Sequence, residues 1–228
     1  MLGRVLRAAR RTPRRLVSAT RQLTSREQTR RQVVRAKLLE LMPDGSVGAE
    51  IGVWRGDFSN EIIRHVRPRK LHLIDPWRVA EDPAYARSLY GSRSGRGQAR
   101  LESAYRSVIG RFAPEITEGV VEVHRKPSAI AAADFEDDYF DWVYVDGDHT
   151  YEGCRQDLEL FAPRIRPGGY LAGDDYKLGA WWGDGVIRAV DEFRDTSGWE
   201  LVLLEAAQFV FRRPAEGAAT ARPATGSA

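Results

Sequence analysis

The sequence predicts an α/β protein: a doubly wound, mostly parallel sheet of seven strands with its last strand pair antiparallel. Three observations carry this reading. Short apolar runs alternate with stretches of helical periodicity from about residue 47 to residue 211, the pattern of strands joined by crossover helices. Acids follow the ends of successive apolar runs, at Asp75, Asp146 and Asp174-Asp175, and an open α/β sheet builds its site at the carboxyl ends of its strands. The chain has 228 residues, 43% apolar and 29% charged, which suits one soluble domain with appendages.

The elements follow in order. Val33 to Met42 carries apolar residues at helical spacing and stops at Pro43-Asp-Gly45, a turn signal. Val47 to Val53 reads as the first, buried strand. Ser59 to Val66 is a helix with Ile62, Ile63 and Val66 on one face, ended by Pro68. Leu71 to Ile74 is the second strand. Residues 77–97 interrupt the rhythm with Trp77, Tyr85, Tyr90 and a Gly/Ser/Arg cluster at 91–97; a connection this long is usually functional or disordered. A helix from Gln98 to Phe112 leads to the third strand, Val120 to Val123. Ser128 is a suitable N-cap for a short helix to Ala133. Phe140 to Val145 is the fourth strand. A helix through Cys154–Phe161, a turn at Arg166-Pro-Gly-Gly169 and a fifth strand at Tyr170–Ala172 come next. Gly185 to Arg194 is helical by the spacing of Val186, Ala189, Val190 and Phe193. Leu201–Leu204 and Gln208–Phe211 complete the sheet.

Charge divides the chain into parts. Residues 1–37 hold twelve basic side chains and one acid, Glu27, a net +11. The remainder, with 23 basic and 31 acidic residues, stands at −8 although the whole is +3. The expected organisation is a basic arm over 1–37, a catalytic domain over 38–213 and a disordered, Ala/Pro/Gly/Thr-rich tail over 214–228. The arm lacks the apolar core of a secretory signal. Its composition is compatible with a transit peptide, a peripheral contact with anionic lipid, an arm on phosphate or a solvated extension. Because the body is acidic, the whole protein does not read as a basic nucleic-acid binder; a nucleic-acid-binding module that uses the basic arm is the less favoured alternative, and it predicts steeply salt-dependent binding. No apolar run approaches the roughly 20 residues of a membrane span, and the single cysteine, Cys154, excludes a disulfide framework and suits a reducing, cytoplasmic setting. Homo-oligomerisation is left open.

Two stretches carry the chemistry. Glu50-Ile-Gly52-Val-Trp-Arg-Gly56 lies between the first strand and first helix, where glycines let backbone approach a ligand and a helix N-terminus favours a negative group. Asp75 follows at the distance where an acid meets ribose hydroxyls in nucleotide folds. The four-residue glycine spacing is not the nicotinamide fingerprint. The second stretch is Asp146-Gly-Asp148-His149, completed by Asp174-Asp175. Three carboxylates in one pocket repel unless a cation or protons neutralise them, and a hard, oxygen-rich set suits Mg²⁺ or, as a substitute, Mn²⁺. An EF-hand is excluded because Tyr151 stands where its turn glycine belongs and a strand precedes it. A plainer alternative makes Asp148 and Thr150 a helix cap and Gly173-Asp-Asp a turn.

Together, Glu50-Ile-Gly-Val53 with Gly56-Asp-Phe-Ser59, Val145-Asp-Gly-Asp-His149 with Tyr151, and Pro167-Gly-Gly169 with Gly173-Asp-Asp-Tyr176 resemble class I S-adenosylmethionine-dependent methyltransferases, which have a Rossmann-like sheet. Within that class they are similar to the metal-dependent sugar O-methyltransferases of macrolide and aminocoumarin tailoring. The likeness spans roughly Val47 to Val190. It implies that Glu50, Gly52, Gly56 and Ser59 meet the methionine part of the donor, Asp75 the ribose and the backbone at Pro127-Ser128 the adenine. Asp146, beside the donor, would hold a divalent cation with Asp174 and Asp175. Trp54 stands where the commonest form of the motif has glycine. The implied reaction is methyl transfer to a hydroxyl of a sugar, glycoside or polysaccharide; a catechol or phenol acceptor is the alternative. An alcohol must lose its proton to attack a sulfonium methyl. His149 is the candidate base, with an unperturbed pKa of about 6.5, and Asp148 the second. Trp77, Tyr85, Arg87, Tyr90, Tyr176, Trp181 and Trp182 are candidates for a lid and an acceptor-stacking surface.

Overall fold

The computed structural model describes residues 14–91, 97–179 and 181–215. The start of the arm, most of the Gly/Ser/Arg cluster and nearly all of the tail lie outside the described residues. Seven strands form one sheet: β1 Val47–Ile51, β2 Lys70–Ile74, β3 Val121–His124, β4 Phe140–Val145, β5 Ile165–Gly173, β6 Glu200–Glu205 and β7 Gln208–Arg212. Their order is β3-β2-β1-β4-β5-β7-β6. The first five strands pair in parallel, and β7 lies antiparallel between β5 and β6. The closing antiparallel pair is added beyond β5, with its order reversed: β7 pairs with β5, and β6 forms the edge.

The parallel strands are buried on both faces because helices cover both. The helices are α1 Arg14–Leu41, α2 Asp57–Val66, α3 Gly97–Arg111, α4 Ala113–Thr117, α5 Ser128–Ala131, α6 Tyr151–Phe161 and α7 Gly185–Ser197. Strand alternation sorts the cores. Val143 and Val145 join Ile51, Leu158, Val190 and Phe211 on one face, whereas Trp142 and Tyr144 join Leu38, Ile62, Leu73 and Val108 on the other. β1 leads to β2 on one side and pairs with β4 on the other, so the strand order reverses between β1 and β4. A crevice opens there, beyond their carboxyl ends.

Three local readings change. Arg166–Gly169 is part of β5 rather than a turn: Gly168 takes a left-handed φ of 79° and its N–H donates to the Arg213 carbonyl at 3.0 Å, while the β4–β5 register shifts between Phe140 and Trp142. Ser128 is not an N-cap. Pro127 holds that position, and the Ser128 hydroxyl donates instead to Asp157 Oδ1 at 2.6 Å. Finally, α1 runs unbroken across residue 37, where the sequence places the end of the arm. Val34 is buried on it, and α1 packs against α2 and β7.

Candidate active site

A cavity of about 820 Å³ occupies the crevice. Gly52 directly follows β1 with φ 86°; a Cβ there would stand 2.0 Å from the Asp146 carbonyl oxygen. Gly52 N–H donates to Ile74 O at 2.9 Å and Asp146 N–H to Ile51 O at 2.8 Å. Only glycine lets the ends of β1, β2 and β4 draw this close.

On the donor side the cavity is lined by Gly52, Trp54, Asp75, Ser128 and Asp146. Asp75 is fully buried and its carboxylate is engaged. Oδ1 accepts from Trp77 N–H at 2.7 Å; Oδ2 accepts from Val53 N–H at 3.1 Å, Trp54 N–H at 2.9 Å and the Tyr90 hydroxyl. Of these four donors only the Tyr90 side chain can withdraw without moving backbone. Trp54 adopts φ 52°, a left-handed conformation that explains a preference for glycine at this place. Glu50, Gly56 and Ser59 stand behind the wall rather than on it. The Ser59 hydroxyl donates to the buried Glu50 carboxyl, whose pKa burial pushes up to about 8. Gly56 has φ 74°, and a Cβ there would meet the Phe112 ring at 2.7 Å, so turn and packing account for it.

The acids converge on the opposite side. Asp146, His149 and Asp175 each present one donor atom within 4.8 Å of the others. His149 Nε2 lies 3.2 Å from Asp146 Oδ1 and Nδ1 lies 3.6 Å from Asp175 Oδ2. Nδ1 is buried without a hydrogen-bond partner among the described residues. Burial alone would lower the His149 pKa; the hydrogen bond and charge of Asp146, with Asp175 and Asp174, more than offset this and raise it. Burial, reinforced by the charges of Asp174 and Asp175, raises Asp146 despite its bond to His149.

Asp174 departs from the expected arrangement. It is buried, but its Oδ2 accepts from Arg31 and Arg35 of α1, and its Oδ1 accepts from Asp175 N–H at 2.6 Å. Burial pushes its pKa up and the two guanidiniums more than reverse that. Arg35 also lies 3.8 Å from Asp146 Oδ2, and Lys177 Nζ lies 2.9 Å from Asp175 Oδ1. Three carboxylates thus face three basic side chains. In this arrangement the Asp146 and Asp175 carboxylates fit a small cation beside the unpartnered His149 Nδ1, while Asp174 joins them only when the arginines release it.

Asp148 has both oxygens occupied: Oδ1 accepts from Thr150 N–H at 2.9 Å and Oδ2 from the Tyr85 hydroxyl. Thr150 Oγ1 caps α6 through Gly153 N–H at 3.1 Å, so the capping alternative holds for Thr150, while Asp148 braces the turn before it. Tyr85, Tyr90, Trp181 and Trp182 line the cavity, and His149 packs on Trp182 with ring centroids 4.9 Å apart. Trp77 is instead a core residue, and the Tyr176 hydroxyl turns to Asp191 at 3.0 Å. Arg31 and Arg35 escaped the sequence reading because they blend into a generally basic arm. Their signal is positional: two arginines four apart flanking the buried Val34 and Leu38, on the stripe of α1 that faces the sheet.

This crevice, with an acid after β2 and a glycine turn after β1, is that of a class I S-adenosylmethionine-dependent methyltransferase. The chain belongs to the methyltransferase domain family, whose model matches residues 49–176. Solved structures share the fold. A protein from Corynebacterium glutamicum is 14% identical, with 91% of this chain and 93% of that one covered and a TM-score of 0.54. The O-methyltransferase NovP is 22% identical, with 83% and 79% covered and a TM-score of 0.53. The N-methyltransferase NodS from Bradyrhizobium japonicum is 18% identical, with 81% and 96% covered and a TM-score of 0.51. No curated protein matches the sequence. Among the described residues no helix is long and apolar enough to cross a membrane.

Proposed function

We propose that the protein is a divalent-metal-dependent O-methyltransferase acting on a hydroxyl of a sugar, glycoside or polysaccharide. The observation that carries this reading is the position of Asp146. It borders the donor crevice and, in the same cavity, faces His149 and Asp175. When bound, S-adenosylmethionine supplies an electrophilic methyl carbon and Mg²⁺ or Mn²⁺ supplies Lewis-acid polarisation of the acceptor oxygen. Asp75 and Gly52 would hold the donor, Asp75 accepting from ribose hydroxyls in place of Tyr90. Asp146 and Asp175 would hold the cation, with Asp174 added when Arg31 and Arg35 let go.

His149 is the better base of the two candidates. With its Nε2–H donating to Asp146, its lone pair falls on Nδ1, the atom without a partner. Nδ1 would take the proton of the acceptor hydroxyl; the donor would supply the methyl group and leave as the neutral thioether. Both oxygens of Asp148 are already bonded, so Asp148 supports the loop. The aromatic wall of Tyr85, Trp181 and Trp182 suits the apolar face of a sugar and also favours a second reading, a flat phenolic acceptor. The test is transfer of labelled methyl to a panel of glycans, glycosides and catechols, with and without Mg²⁺ after thorough chelation. Methylation confined to catechols would replace the first reading by the second; undiminished transfer without metal would remove the cation from it.

A further inference from the structure

A second cluster of ligating side chains lies on β2 and β3, at the edge of the sheet remote in sequence from the acids of β4 and β5. The parallel register pairs His72 with Glu122. Glu122 and His124 are two residues apart on β3, so all three side chains rise from the same face. His72 Nδ1 lies 2.9 Å from His124 Nε2, and Glu122 Oε1 lies 3.5 Å from that same Nε2. A tetrahedral ion with bonds of about 2.0–2.1 Å sets neighbouring ligand atoms about 3.3 Å apart. The two separations at His124 Nε2 bracket that value, while Glu122 approaches His72 Nδ1 to 4.0 Å through Oε2, so its carboxylate has to turn toward His72 to complete the set.

The surroundings suit ligation. A ligating histidine needs an acceptor for its other ring nitrogen, to hold the ring and its tautomer. His72 Nε2 has the Tyr139 hydroxyl at 3.1 Å as such a partner; His124 Nδ1 lies 4.0 Å from Asp134 Oδ2, close enough for electrostatic attraction but beyond a hydrogen bond. Phe135 packs on both imidazoles. Both histidines are buried, and burial lowers their pKa values, that of His72 to about 4, which keeps the rings neutral. Glu122 is half exposed and opens the cluster to solvent. Lys70 holds Glu122 Oε2 at 2.7 Å, leaving Oε1, the oxygen facing His124, and Lys126 is paired with Asp134.

We propose that His72, Glu122 and His124 form a binding site for a divalent transition-metal ion of the zinc class, with a fourth position open to water or an exogenous ligand. Two imidazoles and one carboxylate select such an ion over Mg²⁺ or Ca²⁺, which take oxygen ligands. The site shares no residue with the methyl-transfer crevice and does not depend on the proposed reaction.

The test uses the chelator-treated full chain carrying Asp175→Asn, which weakens the crevice as a competing site. Titration calorimetry with Zn²⁺ should give one equivalent, and Co²⁺ should give the visible absorption of a tetrahedral complex. Adding Glu122→Gln should weaken Zn²⁺ binding at least tenfold, and adding His124→Gln should abolish the Co²⁺ spectrum. Lys70→Ala should bind as tightly as its parent or more tightly, because it frees the carboxylate. Circular dichroism in chelator establishes that each variant is folded; Glu122 is partly exposed, so Glu122→Gln preserves the core. Absence of Zn²⁺ binding, or affinity and spectrum unchanged in the folded Glu122→Gln and His124→Gln variants, would leave a plain histidine–histidine hydrogen bond and overturn the proposal.

Discussion

At the scale of single residues, the crevice holds groups far from their ordinary protonation. His149 is the one on which catalysis is expected to turn. Replacing it by Ala should lower turnover by roughly 10²–10⁴-fold while leaving binding of labelled S-adenosylmethionine intact; full activity in that variant would exclude it as the base. Its pKa is raised by Asp146 and Asp175 against the effect of burial, and only the neutral imidazole accepts a proton. The rising limb of kcat/KM against pH should therefore have its midpoint above 6.5 at limiting Mg²⁺. It should move to lower pH as Mg²⁺ saturates and neutralises those carboxylates. Asp157 supports a stability prediction. It is buried beneath Ser128, and burial raises its pKa from 3.8 to about 7. A raised carboxyl pKa means that the proton is bound more tightly in the folded state. The associated stability is full below about pH 4 and lost as pH rises through 7. Asp157→Asn keeps a neutral partner for the Ser128 hydroxyl, so it should flatten the decline of Tm between pH 4 and 7. An unchanged slope would assign the decline to other groups.

Among the elements, α1 changes most in meaning. Its arginines satisfy Asp174, a buried acid at the end of β5, and Arg35 also stacks on Phe58 of α2 at 4.8 Å. Removing a partner from a fully buried ion pair costs about 3–5 kcal/mol. Arg31 and Arg35 are about a third exposed, so the Arg31→Ala/Arg35→Ala pair should cost less, roughly 1–3 kcal/mol. The same change frees the Asp174 carboxylate. Mg²⁺ should then bind more tightly and restore part of the lost Tm, a rescue seen by melting the double variant across a Mg²⁺ series. Failure of Mg²⁺ to raise its Tm more than that of the parent would mean that Asp174 is not a latent ligand. At the other end of the crevice, the segment after β2 sends Tyr90 to Asp75 and Tyr85 to Asp148. One connecting element thus touches both halves of the cavity.

For the whole molecule, the charge asymmetry of +11 against −8 reads differently once α1 is in place. Part of the arm's charge is an internal counterweight to the acids of the crevice. Cutting the chain after residue 25 should leave Tm and methyl transfer near their full-length values. Cutting after residue 37 removes Arg31, Val34 and Arg35 together and should lower both, a contrast measured on two truncated proteins in parallel. Equal behaviour of the two would show that residues 26–37 contribute neither packing nor charge to the crevice. The sequence by itself determined the alternation of strands and helices, the seven-stranded sheet, the crevice at Gly52, Asp75 and Asp146, and the cluster of acids. Those features rest on local periodicity and on which strand ends carry glycine or acid. Tertiary structure alone decided that Asp174 faces arginines 139 and 143 residues away, that Glu50 and Ser59 bond to each other behind the wall, that β7 lies inside β6, and that His72 meets His124 across two strands. Each depends on which side chains long-range packing brings within a few ångströms, and a charge or hydrogen bond acts at that distance regardless of separation along the chain.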